Sequence, residues 1–304
     1  MNRTAAGVGF ALCTALISGI AIFVNSYAVK QVPDAALFTT LKNGAAALIL
    51  LTLALAVLRP SQVRAVPRRS WVGVAAVGIV GGSIPFLLFF GGLAMASAPS
   101  AAFIHKTLFL WVAILAVPFL GERLGRIQIA ALATLLASQV LIAPPQGVTL
   151  GVGELMIAGA TLFWAVEVVV ARRLLANVPV AVLGVGRMGI GLIVLVGYLG
   201  FTGRLGMVAA LTTDQWAWAL GTGAILAGYV ATWLAALRRA PATVVTSVLV
   251  LGAPITATLD AIARGAVPPP NVVGGYVLVT VAVTLVIAGL LWPGRRTQAL
   301  AARS

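Results

Sequence analysis

The sequence predicts an all-α polytopic membrane protein of ten transmembrane helices, arranged as two inverted five-helix repeats with both termini cytoplasmic. Three observations predict it. The chain divides into ten apolar runs, each near the ~20 residues that cross a bilayer. Its Lys and Arg residues gather on one side of the resulting topology. Short motifs of residues 1–145 recur, in order, in residues 146–304.

The runs cover approximately 7–28, 35–58, 71–95, 99–119, 127–143, 153–174, 180–201, 216–237, 241–263 and 271–292. They are continuously apolar, as in 45–58 and 272–291, where a barrel strand would alternate apolar with polar residues. Backbone groups in lipid must find partners within their own segment, which a helix provides. A mean hydropathy of +1.11 and 9% charged residues exclude an ordinary soluble domain. Loops are short throughout, leaving no room for a soluble domain on either side.

Ten crossings place Arg3, Arg59, Arg64, Arg68, Arg69, Arg123, Arg126, Arg172, Arg173, Arg238, Arg239, Arg295, Arg296 and Arg303 on one face. The other face holds Lys30, Arg204 and Arg264, while Lys42, Lys106 and Arg187 fall within spans. That is 14 against 3, with 3 inside, accounting for all 20 basic residues. Positive loops stay cytoplasmic, so the 14-residue face and both termini are assigned there. A nine- or eleven-span count scrambles this bias. The net charge of +14 is then an anchor to anionic lipid, and no nucleic-acid partner is expected. The run after Arg3 is expected to stay as the first helix rather than be removed as a signal peptide. Cys13, the single cysteine, permits no intrachain disulfide and is expected as a small buried hydrophobe.

The repeat rests on three matches. Val32-Pro33 is followed by Lys42 and Gly44, and Val178-Pro179 by Arg187 and Gly189, at offsets of 146, 145 and 145. Ala98-Pro99-Ser100 opens the fourth run and Ala240-Pro241-Ala242 the ninth, at an offset of 142. The domains are therefore 1–145 and 146–304, the second ending in a short basic tail. An odd number of crossings per repeat turns the second copy upside down, an architecture found in secondary transporters. Gly81, Gly82, Gly91 and Gly92 in the third run, and Gly221, Gly223 and Gly228 in the eighth, let helices approach closely.

The small-residue turn Ser97-Ala98-Pro99-Ser100-Ala101-Ala102 opens a helix that closes in Phe119-Leu120-Gly121-Glu122-Arg123-Leu124. In the second half stand Phe163-Trp164-Ala165 and Ala171-Arg172-Arg173-Leu174, and Arg187 follows where a basic residue recurs. With these segments, over almost its whole length, the chain resembles the EamA-type ten-helix branch of the drug/metabolite transporter superfamily. It departs from the family at Ala263-Arg264-Gly265-Ala266, where another Gly-Glu would stand, and at Ala253-Pro254 in place of Glu-Pro. The resemblance implies export or exchange of small metabolites across the cytoplasmic membrane. Its residue types are similar to those of amino-acid exporters for aromatic and neutral substrates. No cofactor and no metal are expected.

An ionisable side chain at mid-helix costs about 2.5–3.5 kcal/mol on insertion scales, so each needs an explanation. Lys106 stands seven residues into the fourth run beside His105, the chain's single histidine. The equivalents in the second repeat, Ser247 and Val248, carry no charge. Lys106 either lines a site for a carboxylate or snorkels to the headgroups. His105 either joins that site or is a neutral core residue. Glu167 and Arg187 lie at equal depth on consecutive antiparallel helices and are expected to form a structural or gating ion pair. Lys42, the repeat partner of Arg187, has no matching acid, and Asn25 or a carbonyl is expected to serve it. Asp260 and Arg264 have helix-pair spacing, and Glu122 is placed as an interfacial cap or ion pair.

Aromatic residues complete the candidate site. Ser83, Phe86 and Phe90 share a helical face, and Tyr229 and Trp233 repeat the spacing on the eighth run. Trp164 and Trp233 lie deep, whereas Trp71, Trp216, Trp218 and Trp292 sit at span ends, as in an interfacial belt. An amphipathic solute needs an apolar wall with a few placed polar groups. The expected activity is secondary transport of small organic metabolites, foremost neutral and aromatic amino acids, by alternating access. Lys106, His105, Ser83, Phe86, Phe90, Trp164, Tyr229, Trp233 and Asn25 would bind substrate. The rival is an integral-membrane enzyme acting on a lipid-linked substrate. It fits poorly, because the six acids (Asp34, Glu122, Glu154, Glu167, Asp214 and Asp260) are dispersed and such chemistry wants acids clustered around a metal.

Overall fold

The computed structural model describes residues 3–93, 95, 96, 98–142 and 151–291. Ser97, Ala143, Trp292, Arg295, Arg296 and Arg303 of the sequence reading lie outside the described residues.

Fourteen α-helices follow one another: α1 (Arg3–Ala28), α2 (Ala35–Val57), α3 (Pro60–Arg64), α4 (Arg68–Gly82), α5 (Ile84–Leu93), α6 (Ala98–Lys106), α7 (Leu108–Leu120), α8 (Arg126–Ile142), α9 (Val152–Leu174), α10 (Val180–Phe201), α11 (Thr213–Leu237), α12 (Ala242–Leu249), α13 (Gly252–Arg264) and α14 (Pro270–Leu291). A short 3₁₀ turn, Leu205–Ala210, links α10 to α11. Nine segments are long and apolar enough to cross a membrane, and α8, with 17 residues, is a shorter apolar helix. At about 1.5 Å per residue, α8 spans roughly 25 Å, so the described residues contain the ten spans expected.

Local chemistry sets the helix ends. Asp34 Oδ1 accepts from Leu37 N (2.8 Å) and starts α2. Thr212 and Gln215 start α11 with reciprocal side chain–backbone bonds. Gly121 (φ +67°) and Gly265 (φ +63°) adopt the left-handed backbone that ends α7 and α13.

Three spans expected as continuous helices are broken instead. The third breaks at Ser83, between α4 and α5. Pro85 is the cause: it has no N–H to donate to the carbonyl four residues back, which is that of Gly81. The ninth breaks between α12 and α13, where Pro254 removes the donor for Val250. The fourth breaks at Thr107, whose hydroxyl donates to the Ile104 carbonyl (2.6 Å) and accepts from Trp111 Nε1 (3.1 Å).

Packing exchanges the two halves. The pairs α8–α14 and α2–α10 each join a helix to its own repeat counterpart, and α7–α12 joins the second half of the fourth span to the first half of its counterpart, the ninth. The α1–α11 contact is matched by α9 against α4 and α5, α2–α11 by α10–α4, and α1 on α12–α13 by α9 on α6–α7. Five crossings separate each helix from its counterpart, so counterparts run in opposite directions. The result is a five-plus-five inverted repeat. Two bundles result: α4–α7 with α9, and α11–α13 with α1. Glycines permit the close approaches, with Gly82 against the Arg187 backbone and Gly191, and Gly92 against Gly153.

One expectation is corrected here. Cys13 is exposed rather than buried, because it lies on the outward side of α1, away from the buried stripe of Ala11, Thr14 and Ala15. Two grooves lie on the outer surface, about 520 Å³ between α13 and α14 and about 300 Å³ between α2, α10 and α11. Their walls are almost wholly apolar, and no residue of the buried cation cluster described next lines them.

Candidate functional site

Two cations on the paired helices α2 and α10 anchor the buried polar centre. They occupy equivalent places in the two repeats, yet their surroundings differ.

Arg187 is fully partnered. Its Nε and Nη2 donate to the two carboxylate oxygens of Glu167, and Nη2 also donates to the Gly81 carbonyl (3.1 Å). The guanidinium lies over the Trp233 ring, 5.4 Å from its centroid, and Tyr229 stacks on Trp233. The carbonyl freed by Pro85 is thus taken by Arg187, and Trp164 Nε1 donates to it as well (3.3 Å). The next carbonyl, of Gly82, accepts from Asn43 Nδ2 (3.1 Å). A broken helix in the membrane needs such replacement partners. The expected Glu167–Arg187 pair is present, and it also holds the break in the third span.

Lys42 is buried with 5% exposure, but it makes no ion pair or hydrogen bond among the described residues. Its ammonium sits over three rings instead, 5.2 Å from the centroid of Phe38, 5.7 Å from Phe86 and 5.4 Å from Phe90. Aromatic faces attract a cation by up to about 2 kcal/mol when desolvated, yet they supply no counter-charge. Asn25, expected to serve Lys42, donates to the Ala21 carbonyl instead (2.7 Å). Its Oδ1, the atom that could accept from an ammonium, is buried without a partner among the described residues, so Asn25 does not serve Lys42.

From the Lys42 cage the rings continue. Phe90 meets Phe89, which meets His105 and Trp164, and Trp164 meets both His105 and Phe86. Five side chains from α5, α6 and α9 form one aromatic wall beside the ammonium. Lys106 follows His105 and lies about 100° further round the helix, and among the described residues it has no ion pair, hydrogen bond or ring contact.

The structure therefore brings together Phe86, Phe90, Trp164 and His105, and places Tyr229 and Trp233 on the Arg187 side. Ser83 donates to the Ile79 carbonyl (2.9 Å) inside the helix break, so it does not continue the face of Phe86 and Phe90. Sequence reasoning missed Lys42 and Phe38 as site residues, and Phe89 as part of the wall. A signal was present: Phe38 and Lys42 are four apart on one helix, so the ring lies under the ammonium.

The profile of the EamA-like transporter family matches twice, over residues 5–143 and 151–288. The chain belongs to the EamA-like transporter family. It is a multi-pass membrane transporter built of two repeats, each carrying one match. A solved structure, described simply as the crystal structure of a protein, superposes with a TM-score of 0.73 at 19% identity. It covers 95% of this chain and 96% of its own, a likeness of fold alone. No curated protein matches the sequence closely enough to count as a relative. Against the EamA-like frame, Glu122 of the Leu-Gly-Glu-Arg ending acts as a cap. Its carboxylate accepts from Ala242 N (2.6 Å), Thr243 N (3.1 Å) and Thr243 Oγ1 (2.7 Å). Asp260 pairs with Arg264 within one helix face (2.8 Å), as the spacing predicts.

Proposed function

We propose that this EamA-like transporter carries small organic solutes bearing a carboxylate and an apolar or aromatic part. Neutral amino acids, the aromatic ones foremost, are the best fit. Transport is export or exchange across the cytoplasmic membrane by alternating access, with both termini cytoplasmic.

One observation carries this reading: the buried Lys42 ammonium lacks a carboxylate and is ringed by Phe38, Phe86 and Phe90. An uncompensated charge within a membrane is costly and marks a substrate pathway, and a substrate carboxylate would supply the missing counter-charge. The adjoining rings of Phe89, Trp164 and His105 offer an apolar wall for its side chain. Lys106, next to His105, is the second candidate cation, and Tyr229, Trp233, Ser83 and Asn25 are the remaining candidates. Glu167 and Arg187 serve as the structural pair that holds the third span open at its break. The two bundles are joined by few cross-contacts, as a rocking exchange between two openings requires.

The test is counterflow of labelled phenylalanine in liposomes loaded with unlabelled neutral amino acids. Lys42→Met is expected to weaken apparent affinity at least about tenfold, the scale of one lost charge-assisted contact, while Lys42→Arg keeps part of it. Unchanged affinity in Lys42→Met overturns the carboxylate assignment. Lys106→Ala separates the two cations, and a larger loss there than in Lys42→Met moves the carboxylate to Lys106.

A further inference from the structure

The two ends of the molecule are built alike but fastened differently. At the end that holds the start of α1, Gly121 closes α7 with its left-handed backbone and is followed by Glu122. The Glu122 carboxylate takes the first two backbone N–H groups of α12 and the Thr243 hydroxyl. Helix α7 belongs to one bundle and α12 to the other. One side chain therefore straps the bundles together at that end, whereas Arg173 of α9 bonds inside a bundle, donating to the Phe119 carbonyl of α7. At the opposite end the fold repeats. Gly265 closes α13 in the same backbone conformation, and the residue that follows is Ala266. The repeat supplies a place for a second strap, and the sequence leaves out its carboxylate.

We propose that Glu122 is a positioning residue that biases the transporter toward closure at the terminus-bearing end, so that the resting protein opens to the opposite side. This inference rests on the alternating-access reading. Carboxylate bonds to backbone N–H groups are charge-assisted and strong for their size, and they must break for that end to part. With no carboxylate at residue 266, the opposite end lacks this strap. The bias concerns which side is open at rest and leaves the substrate site unaltered.

The experiment uses the full chain with Cys13→Ser, which removes its single cysteine, and Ser247→Cys as reporter. Ser247 is buried on α12, the helix that meets α7 of the other bundle, so it labels only when an opening reaches it, and it bonds to the Thr243 carbonyl of its own helix. A membrane-impermeant maleimide is applied from either side of oriented proteoliposomes, with phenylalanine counterflow measured in parallel. The parent reporter is expected to label from the side opposite the termini. Glu122→Gln is expected to raise labelling from the terminal side about tenfold, the scale of one charge-assisted hydrogen bond. Ala266→Glu is expected to lower labelling from the opposite side, a gain that a merely structural cap does not predict. If counterflow persists and both variants label as the parent does, the role of Glu122 is overturned. If Glu122→Gln fails to fold, Ala266→Glu alone decides, and an unchanged pattern there overturns the proposal. If the parent reporter never changes its accessible side when phenylalanine is added, the alternating-access reading falls and takes this inference with it.

Discussion

Lys42 and Arg187 stand at equivalent positions of the two repeats, and each has aromatic rings from the third helix of its own repeat. One is saturated by Glu167 and a backbone carbonyl, while the other has rings alone. Breaking a buried pair from one side leaves an uncompensated charge and costs about 3–5 kcal/mol, whereas removing both partners together is often nearly neutral. Arg187→Met and Glu167→Gln are each expected to destabilise on that scale. The double variant should cost clearly less than their sum, as read by thermal unfolding in detergent, and additive losses refute the coupling. The pairing of Glu167 with Arg187 was legible in the sequence, because equal depth on neighbouring antiparallel helices already brings two charges together. The cage around Lys42 was only half legible. Phe86 and Phe90 could be placed on one face, but which face of α5 meets α2 is decided by packing across spans.

At the scale of the element, the third span shows how a helix becomes a site. Pro85 frees the Gly81 carbonyl, and Arg187 and Trp164 bind it. A Cβ at Gly81 would overlap the Glu167 carboxylate, whereas one at Gly189 on α10 meets nothing within 4 Å. Gly81→Ala is therefore expected to lower stability by about 1–3 kcal/mol through overpacking. Gly189→Ala should stay within about 1 kcal/mol of the parent or improve on it. Calorimetric or fluorescence melts of the two variants check this, and equal melting points would show that the Gly81 contact is not tight. The spans themselves were readable from hydropathy, since a bilayer demands length and apolarity of every crossing helix. Their breaks were not read as such, although Pro85 and Pro254 are visible in the chain. A proline bends some helices and interrupts others, and the outcome turns on whether a neighbour such as Arg187 is present to take the released carbonyl.

For the whole molecule, the five-plus-five organisation was legible because three short motifs keep a near-constant offset and the basic residues fall on one face. The Glu122 strap was foreshadowed only as a cap at the boundary. Its partner, the start of α12, is 120 residues away in sequence, and no local pattern announces such a contact.

Because α8–α14 and α2–α10 each pair a helix with its own counterpart, and the other contacts between the halves come in matched pairs, the seam between the halves is built from surfaces that each half carries. Severing the chain between α8 and α9 should therefore leave two fragments that recognise each other in the bilayer, provided the second inserts with its opening end outermost. Co-expressed fragments are expected to co-purify and to restore phenylalanine counterflow, whereas either one alone is inert.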